Sequence, residues 1–158
     1  MSTIEFINLS EQINSIVYQD GCYPEGEIEW NDRRRKANLI WQFKNFQSEH
    51  GAVIPDEIIR LDRKYSYVEI KIAKGGNDLW AMVPSYMLAN QGVTSPISVF
   101  ERISFKSRDD AILAGILSLQ NQLKRISDRT DTNNSDKKMA MYFFRLLEEQ
   151  KKPQLALF

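Results

Sequence analysis

The chain has 158 residues, 42% apolar and 27% charged, an ordinary balance for one globular domain with a core of its own. Lysine plus arginine and aspartate plus glutamate stand at 21 each, so no net field draws in nucleic acid and any such binding needs a local patch. One cysteine and one histidine exclude an internal disulfide and the usual zinc patterns, and no apolar run nears the roughly 20 residues of a spanning helix, so the expectation is a soluble cytoplasmic chain without a membrane partner.

Ile4, Phe6 and Ile7 make a short apolar start, and Ser10 is placed to cap a helix that buries Ile13, Ile16 and Val17. Gly21 to Gly26, with Pro24 inside, breaks the chain. A second helix is expected over Asp32–Glu49, which sets Arg33, Arg34, Arg35 and Lys36 in its first turn, the end of the macrodipole that favours acids. At no more than about 0.3–1 kcal/mol per charge the penalty is small. Ion pairs with Glu25, Glu27 and Glu29 just upstream would explain these cations, and so would a phosphate-contacting patch.

Gly51 suits the end of that helix, and Pro55-Asp56-Glu57 reads as the first turn of a short one closing near Arg63. Tyr65 to Ile72 then alternates, with Tyr65, Tyr67, Glu69 and Lys71 on one face and Ser66, Val68, Ile70 and Ile72 on the other. That is a half-buried strand. Gly75-Gly76-Asn77-Asp78 is hairpin punctuation, and Leu79–Val83 is the returning strand. Residues 84–96, holding Pro84 and Pro96, read as a long loop.

Ile97–Phe105 is the third strand and leads into the most regular amphipathic helix of the chain. Ser107 is its N-cap, Asp110 the acidic partner of a capping box, and Ile112, Ile116, Leu119, Leu123 and Ile126 recur at spacings of four, three, four and three. Ala111 and Gly115 edge this stripe and suit close approach to a sheet. A polar linker over 127–135 precedes a helix over 136–152 with Met139, Tyr142, Phe143, Leu146 and Leu147 on its apolar side, and Pro153 ends it. The expected fold is therefore one α+β domain over 1–126: a three-stranded antiparallel sheet packed against a long helix, with additional N- and C-terminal helices and a linear peptide at 153–158.

The uncovered face of that sheet would carry Tyr65, Tyr67 and Lys71 beside Trp80 or Met82, and aromatics interleaved with cations can stack bases and contact phosphates. The order of three strands and a helix, entered through Phe105, Ser107 and Ala111, resembles the three-stranded DNA-binding domains of phage-type integrases. In order alone it also resembles double-stranded-RNA-binding domains. The likeness is architectural and carries no diagnostic motif.

Pro55-Asp56 followed by Glu69-Ile70-Lys71, with twelve residues between Asp56 and Glu69, is similar to the PD-(D/E)XK nuclease pattern. In that family two carboxylates hold Mg²⁺ and the lysine helps to position the attacking water. Against it, Asp56 sits at an expected helix start where the family needs a strand, and Lys71 leads into a hairpin where the family enters a helix.

The last five residues, Gln154-Leu155-Ala156-Leu157-Phe158, resemble the pentapeptide by which bacterial replication, repair and phage proteins dock on the DNA sliding clamp, Gln-Leu-(Ser or Asp)-Leu-Phe. Four of the five positions agree, and Ala156 departs. The resemblance implies that Leu157 and Phe158 anchor in an apolar pocket, that Leu155 adds burial and that Gln154 meets the rim. Such a peptide must be free and extended; the competing reading folds it back into the core or pairs it as an edge strand. The family carries no activity with it. The expected function is thus a non-enzymatic accessory DNA-metabolism protein of phage or plasmid type, clamp-docked by its tail. It would need no cofactor and would touch nucleic acid through Arg33, Arg34, Arg35 and Lys36, with Tyr67 and Lys71. The alternatives are a Mg²⁺-dependent nuclease using Asp56, Glu69 and Lys71, and a small regulator that binds only protein.

Overall fold

In chain order the elements are β1 (Phe6–Asn8), α1 (Ser10–Val17), α2 (Glu27–Trp41), β2 (Phe46–Gln47), β3 (Ala52–Val53), β4 (Glu57–Arg63), β5 (Ser66–Lys74), β6 (Trp80–Met87), β7 (Gly92–Val93), β8 (Ile97–Ser98), β9 (Ile103–Phe105), α3 (Arg108–Asp128) and α4 (Asn134–Ala156), with a 3₁₀ turn at Gln19–Gly21. The computed structural model describes residues 3–47 and 49–156, the last five of these by backbone alone. Strands β4, β5 and β6 form an antiparallel meander, continued past β6 by β9 and β1 and, farther along the same edge, by β7. A second small sheet has the order β2-β3-β8.

The α+β class holds, but a three-stranded sheet does not: the main sheet has six strands. The stretch expected as one strand, Ile97–Phe105, divides between the two sheets. Ile97 pairs with Val53 in the small one and Phe105 with Phe6 and Trp80 in the large one. Between them the chain turns, held by Val99 N–H to the Gly51 carbonyl at 2.8 Å and Glu101 N–H to the Ser98 carbonyl at 3.2 Å.

Both faces of the main sheet are covered. On one, Val68, Ile70 and Ile72 of β5 pack against Ile112, Ile116, Leu119 and Leu123 of α3, with Phe143 and Leu147 of α4 beyond. Gly115 makes the approach possible, because a Cβ there would stand 2.7 Å from Cγ2 of Ile70. On the other face Ala73, Ala81 and Val83 meet Ile13 and Val17 of α1 and Ala37 and Trp41 of α2. Trp41 is fully buried and donates its indole N–H to the Glu101 carbonyl at 3.0 Å. Tyr67, Glu69 and Lys71 continue that second face along β5 from Ala73. Trp80 and Met82 are not on it. They pair with Lys74 and Ile72 and pack with the α3 cluster, so the aromatic face expected from alternation loses both.

Residues 57–63 are a strand where a short helix was expected. Ile59 and Leu61 alternate with Arg60 and Asp62, a period of two that outweighs the helix-start signal of Pro55. Helix α2 starts at Glu27, five residues earlier than expected, and stops at Gln42, whose backbone is left-handed at φ 59°. Glu27 and Glu29 therefore occupy the first turn, and the four cations sit mid-helix without the dipole penalty. Pro84 lies inside β6, where a loop was expected. It falls between Trp80, paired to β9, and Tyr86 and Met87, paired to β7, so its missing N–H faces an unpaired gap.

Ser107 caps α3 as expected, accepting from Asp110 N–H at 3.1 Å. The box does not close, because the Asp110 carboxylate instead accepts from Glu5 N–H at 3.1 Å and ties the start of the chain to α3. The linker is shorter than expected, since α3 runs to Asp128 and α4 begins at Asn134, where the Asn133 side chain accepts from Ser135 N–H at 2.8 Å. Pro153 does not end α4, which runs to Ala156. No helix among the described residues is long and apolar enough to cross a membrane.

Candidate interaction sites

Arg33, Arg34, Arg35 and Lys36 are consecutive on α2, so at 100° per residue they fan around the helix instead of forming one face. Three of them are engaged within the protein. Arg33 donates to the Ile16 carbonyl at 3.3 Å and to the Gln19 side-chain oxygen. Arg34 donates to Asn31 Oδ1 at 2.9 Å and to the Glu49 carbonyl at 2.8 Å, and it lies over the Trp30 ring. Lys36 pairs with Asp32 at 2.9 Å and reaches Gln19 at 3.1 Å. Arg35 alone of the four is exposed and has no partner among the described residues. These cations brace α2 against α1 and the Glu49 carbonyl, and they present one charge, not four, to a phosphate.

The open end of the second sheet face gathers Arg60, Asp62, Tyr67, Glu69 and Lys71. Glu69 is 7% exposed and sits between Arg60 Nη1 at 3.4 Å and Lys71 Nζ at 3.3 Å. Lys71 also donates to the Ser95 carbonyl at 3.0 Å, and the Arg60 guanidinium covers the Tyr67 ring at 3.8 Å. Here two cations neutralise one buried carboxylate. The ring and the ammonium that were expected to meet nucleic acid are turned inward onto their neighbours.

The nuclease pattern does not gain its geometry. Asp56 lies one residue before β4, whose Glu57 pairs with Ile72, three positions along β5 from Glu69, so the two carboxylates are set about 10 Å or more apart along the sheet at 3.3 Å per residue. Its carboxylate accepts Lys74 N–H at 2.6 Å. One cation cannot be shared by two carboxylates at that separation, since metal–oxygen bonds span about 2.0–2.6 Å. No group of three or more potential metal-binding side chains occurs among the described residues.

A cluster that the linear reading missed lies where the β4–β5 turn meets the last turns of α3 and the first half of α4. Arg63, Lys137, Lys138 and Arg145 line an open cleft of about 630 Å³ with Ser127, Met141 and Tyr142, and no carboxylate among the described residues lines it. The Arg63 guanidinium stacks on the Tyr142 ring at 4.0 Å. The signal was present as Lys138, Tyr142 and Arg145 at helical spacing on α4. What the sequence hid was Arg63, which arrives from a strand that had been expected as a helix.

Of the tail, Gln154 and Leu155 lie in the last turn of α4 by backbone, while Leu157 and Phe158 lie outside the described residues. No family model matches the chain, and neither a curated protein nor a solved structure does.

Proposed function

We propose that the protein is a non-enzymatic accessory factor of DNA metabolism that docks on a bacterial DNA sliding clamp through Gln154–Phe158. The observation that carries this reading is the residue pattern Gln-Leu-Ala-Leu-Phe, which agrees with the docking consensus at four of its five positions. The energetics are those of a short peptide. Burying Leu155, Leu157 and Phe158 at about 1.5–3 kcal/mol each gives roughly 5–9 kcal/mol. Ordering five residues offsets part of that, so at the upper end about 7 kcal/mol remains, an affinity near ten micromolar.

Docking in an extended form requires the last turn of α4 to open. Pro153 contributes no N–H to the helical ladder, which weakens that turn, and terminal turns open at almost no free-energy cost. The test is capture of the full-length protein by immobilised bacterial clamp. Leu157→Ala with Phe158→Ala should abolish capture, and a free peptide of residues 150–158 should compete it away. Capture that survives the double substitution would refute the docking role of the tail.

A further inference from the structure

We infer that the cleft between the β4–β5 turn, α3 and α4 is a binding site for single-stranded nucleic acid. In this assignment the phosphates lie on Arg63, Lys137, Lys138 and Arg145, and a base stacks on Tyr65. The assignment rests on the reading that the protein works on DNA, and it is independent of the tail.

The cations come first. Four of them converge on one concavity in a molecule whose charges balance overall, 21 against 21. None of the four forms an ion pair with a described residue, in contrast to Arg34, Lys36, Arg60, Lys71 and Arg108, which all do. Asp131 is held below the usual carboxylate range first by Arg129 and only weakly by Lys137. Mutual repulsion of unpaired cations is a standing cost that an anionic ligand removes. Lys138 and Arg145 are seven positions apart on α4, about 10.5 Å, so they meet phosphates separated along a strand and not a single anion.

The aromatic comes second. Arg63 pairs with Ser66, which leaves Lys64 and Tyr65 as a two-residue turn with Lys64 left-handed at φ 55°. Tyr65 in that turn is 98% exposed, the most exposed large apolar side chain among the described residues, and Arg63 and Lys64 directly precede it, with Arg63 on the wall of the cleft. A fully exposed ring beside a basic groove is the stacking element that proteins use for unpaired bases, whereas a duplex keeps its base faces covered. Third, the site and the tail share α4. Lys138 lies fifteen residues before Pro153, about 22 Å along the helix axis, so a protein tethered by its last residues would hold the cleft beside a strand at the same place.

The experiment is fluorescence anisotropy of the full chain with a labelled 20-nucleotide single strand, a duplex of the same sequence and a phosphorylated acidic peptide, at several salt concentrations. The single strand should bind best. The triple change Lys137→Ala, Lys138→Ala and Arg145→Ala should weaken binding at least tenfold and flatten the slope of log affinity against log salt by about 2, at roughly 0.7 per phosphate contact. Tyr65→Ala, at an exposed turn position, should weaken it at least fivefold, while Arg35→Ala should leave it unchanged. Circular dichroism controls for folding, and Lys138→Arg should restore affinity lost in Lys138→Ala. Unchanged affinity in the triple variant overturns the site. Equal affinity for the duplex with no effect of Tyr65→Ala overturns the single-strand assignment, and so does tighter binding of the peptide. Loss of clamp capture with DNA binding intact would sink the tail and leave the cleft standing.

Discussion

The substitution Gly115→Ala sets two known effects against each other at the closest approach between α3 and β5. A helical glycine exchanged for alanine gains about 0.8–1.0 kcal/mol of propensity. The new methyl, however, would lie 2.7 Å from Cγ2 of Ile70 and 3.0 Å from its Cγ1 and Cδ1, where carbon pairs prefer about 3.5–4.0 Å. Ile70 cannot step aside, being 1% exposed on the middle strand of the meander and paired with Ile59 on one side and Pro84 on the other. Overpacking of this kind costs about 1–3 kcal/mol. The net loss is about 1 kcal/mol, a fall in Tm of roughly 2–4 °C for a chain of this size. A double-mutant cycle with Ile70→Ala separates the terms, since the propensity gain is common to both backgrounds and only the clash is relieved. The coupling should be about 1–3 kcal/mol in favour of the pair, well outside the roughly 0.3–0.5 kcal/mol within which independent sites add. Urea midpoints at constant m value read it out. Stabilisation by Gly115→Ala, with additive behaviour alongside Ile70→Ala, would mean that α3 does not lie against β5 at this point.

Pro153→Ala should strengthen the last turn of α4 and weaken clamp affinity about two- to tenfold with no change in the peptide contacts; an unaltered affinity in a surface-binding titration would show that the turn need not open. Two carboxylates should shape the pH dependence in opposite senses. Glu101 is pushed up chiefly by burial, partly offset by the Ser98 N–H at 3.2 Å, so the stability it contributes is complete at low pH and declines as pH rises through its raised folded value. Glu101→Gln, which keeps an acceptor for Ser98, should remove that decline from a series of urea midpoints. Glu57 is held down chiefly by its hydrogen bonds to Arg108 at 2.5 and 2.7 Å, so its contribution is present above the ordinary carboxylate range and is lost as pH falls through the depressed value. Because both side chains are more than one-third exposed, Arg108→Ala should cost less than about 1 kcal/mol near neutrality, and the difference from the parent chain should shrink on acidification.

The parts of the fold legible in the sequence were those with long, single-period patterns. The stripe Ile112–Ile126 and the alternation Tyr65–Ile72 became α3 and the centre of β5 because side chains at those spacings share a face whatever else surrounds them. Short strands were illegible: β1, β2, β3, β7, β8 and β9 span two or three residues each, too few for a period, and are fixed by their partners. Pro55 and the two acids after it signal a helix start, but the alternation of Ile59 and Leu61 with Arg60 and Asp62 overrides them. Only as a strand does this segment carry Arg63 to the cleft, which is why the cleft is not legible in the sequence. The run Arg33–Lys36 misled for a different reason. Adjacency in sequence is dispersal on a helix, and three of its four charges serve Ile16, Gln19, Asn31, Asp32 and Glu49.

Docking by the last five residues is best measured by calorimetric titration of the full chain into purified bacterial sliding clamp. Saturable binding near ten micromolar with one site per clamp subunit is expected, and at least a hundredfold loss when Leu157 and Phe158 are both changed to alanine. Binding of equal strength by that variant, or no binding by the parent chain at a hundred micromolar, would contradict it.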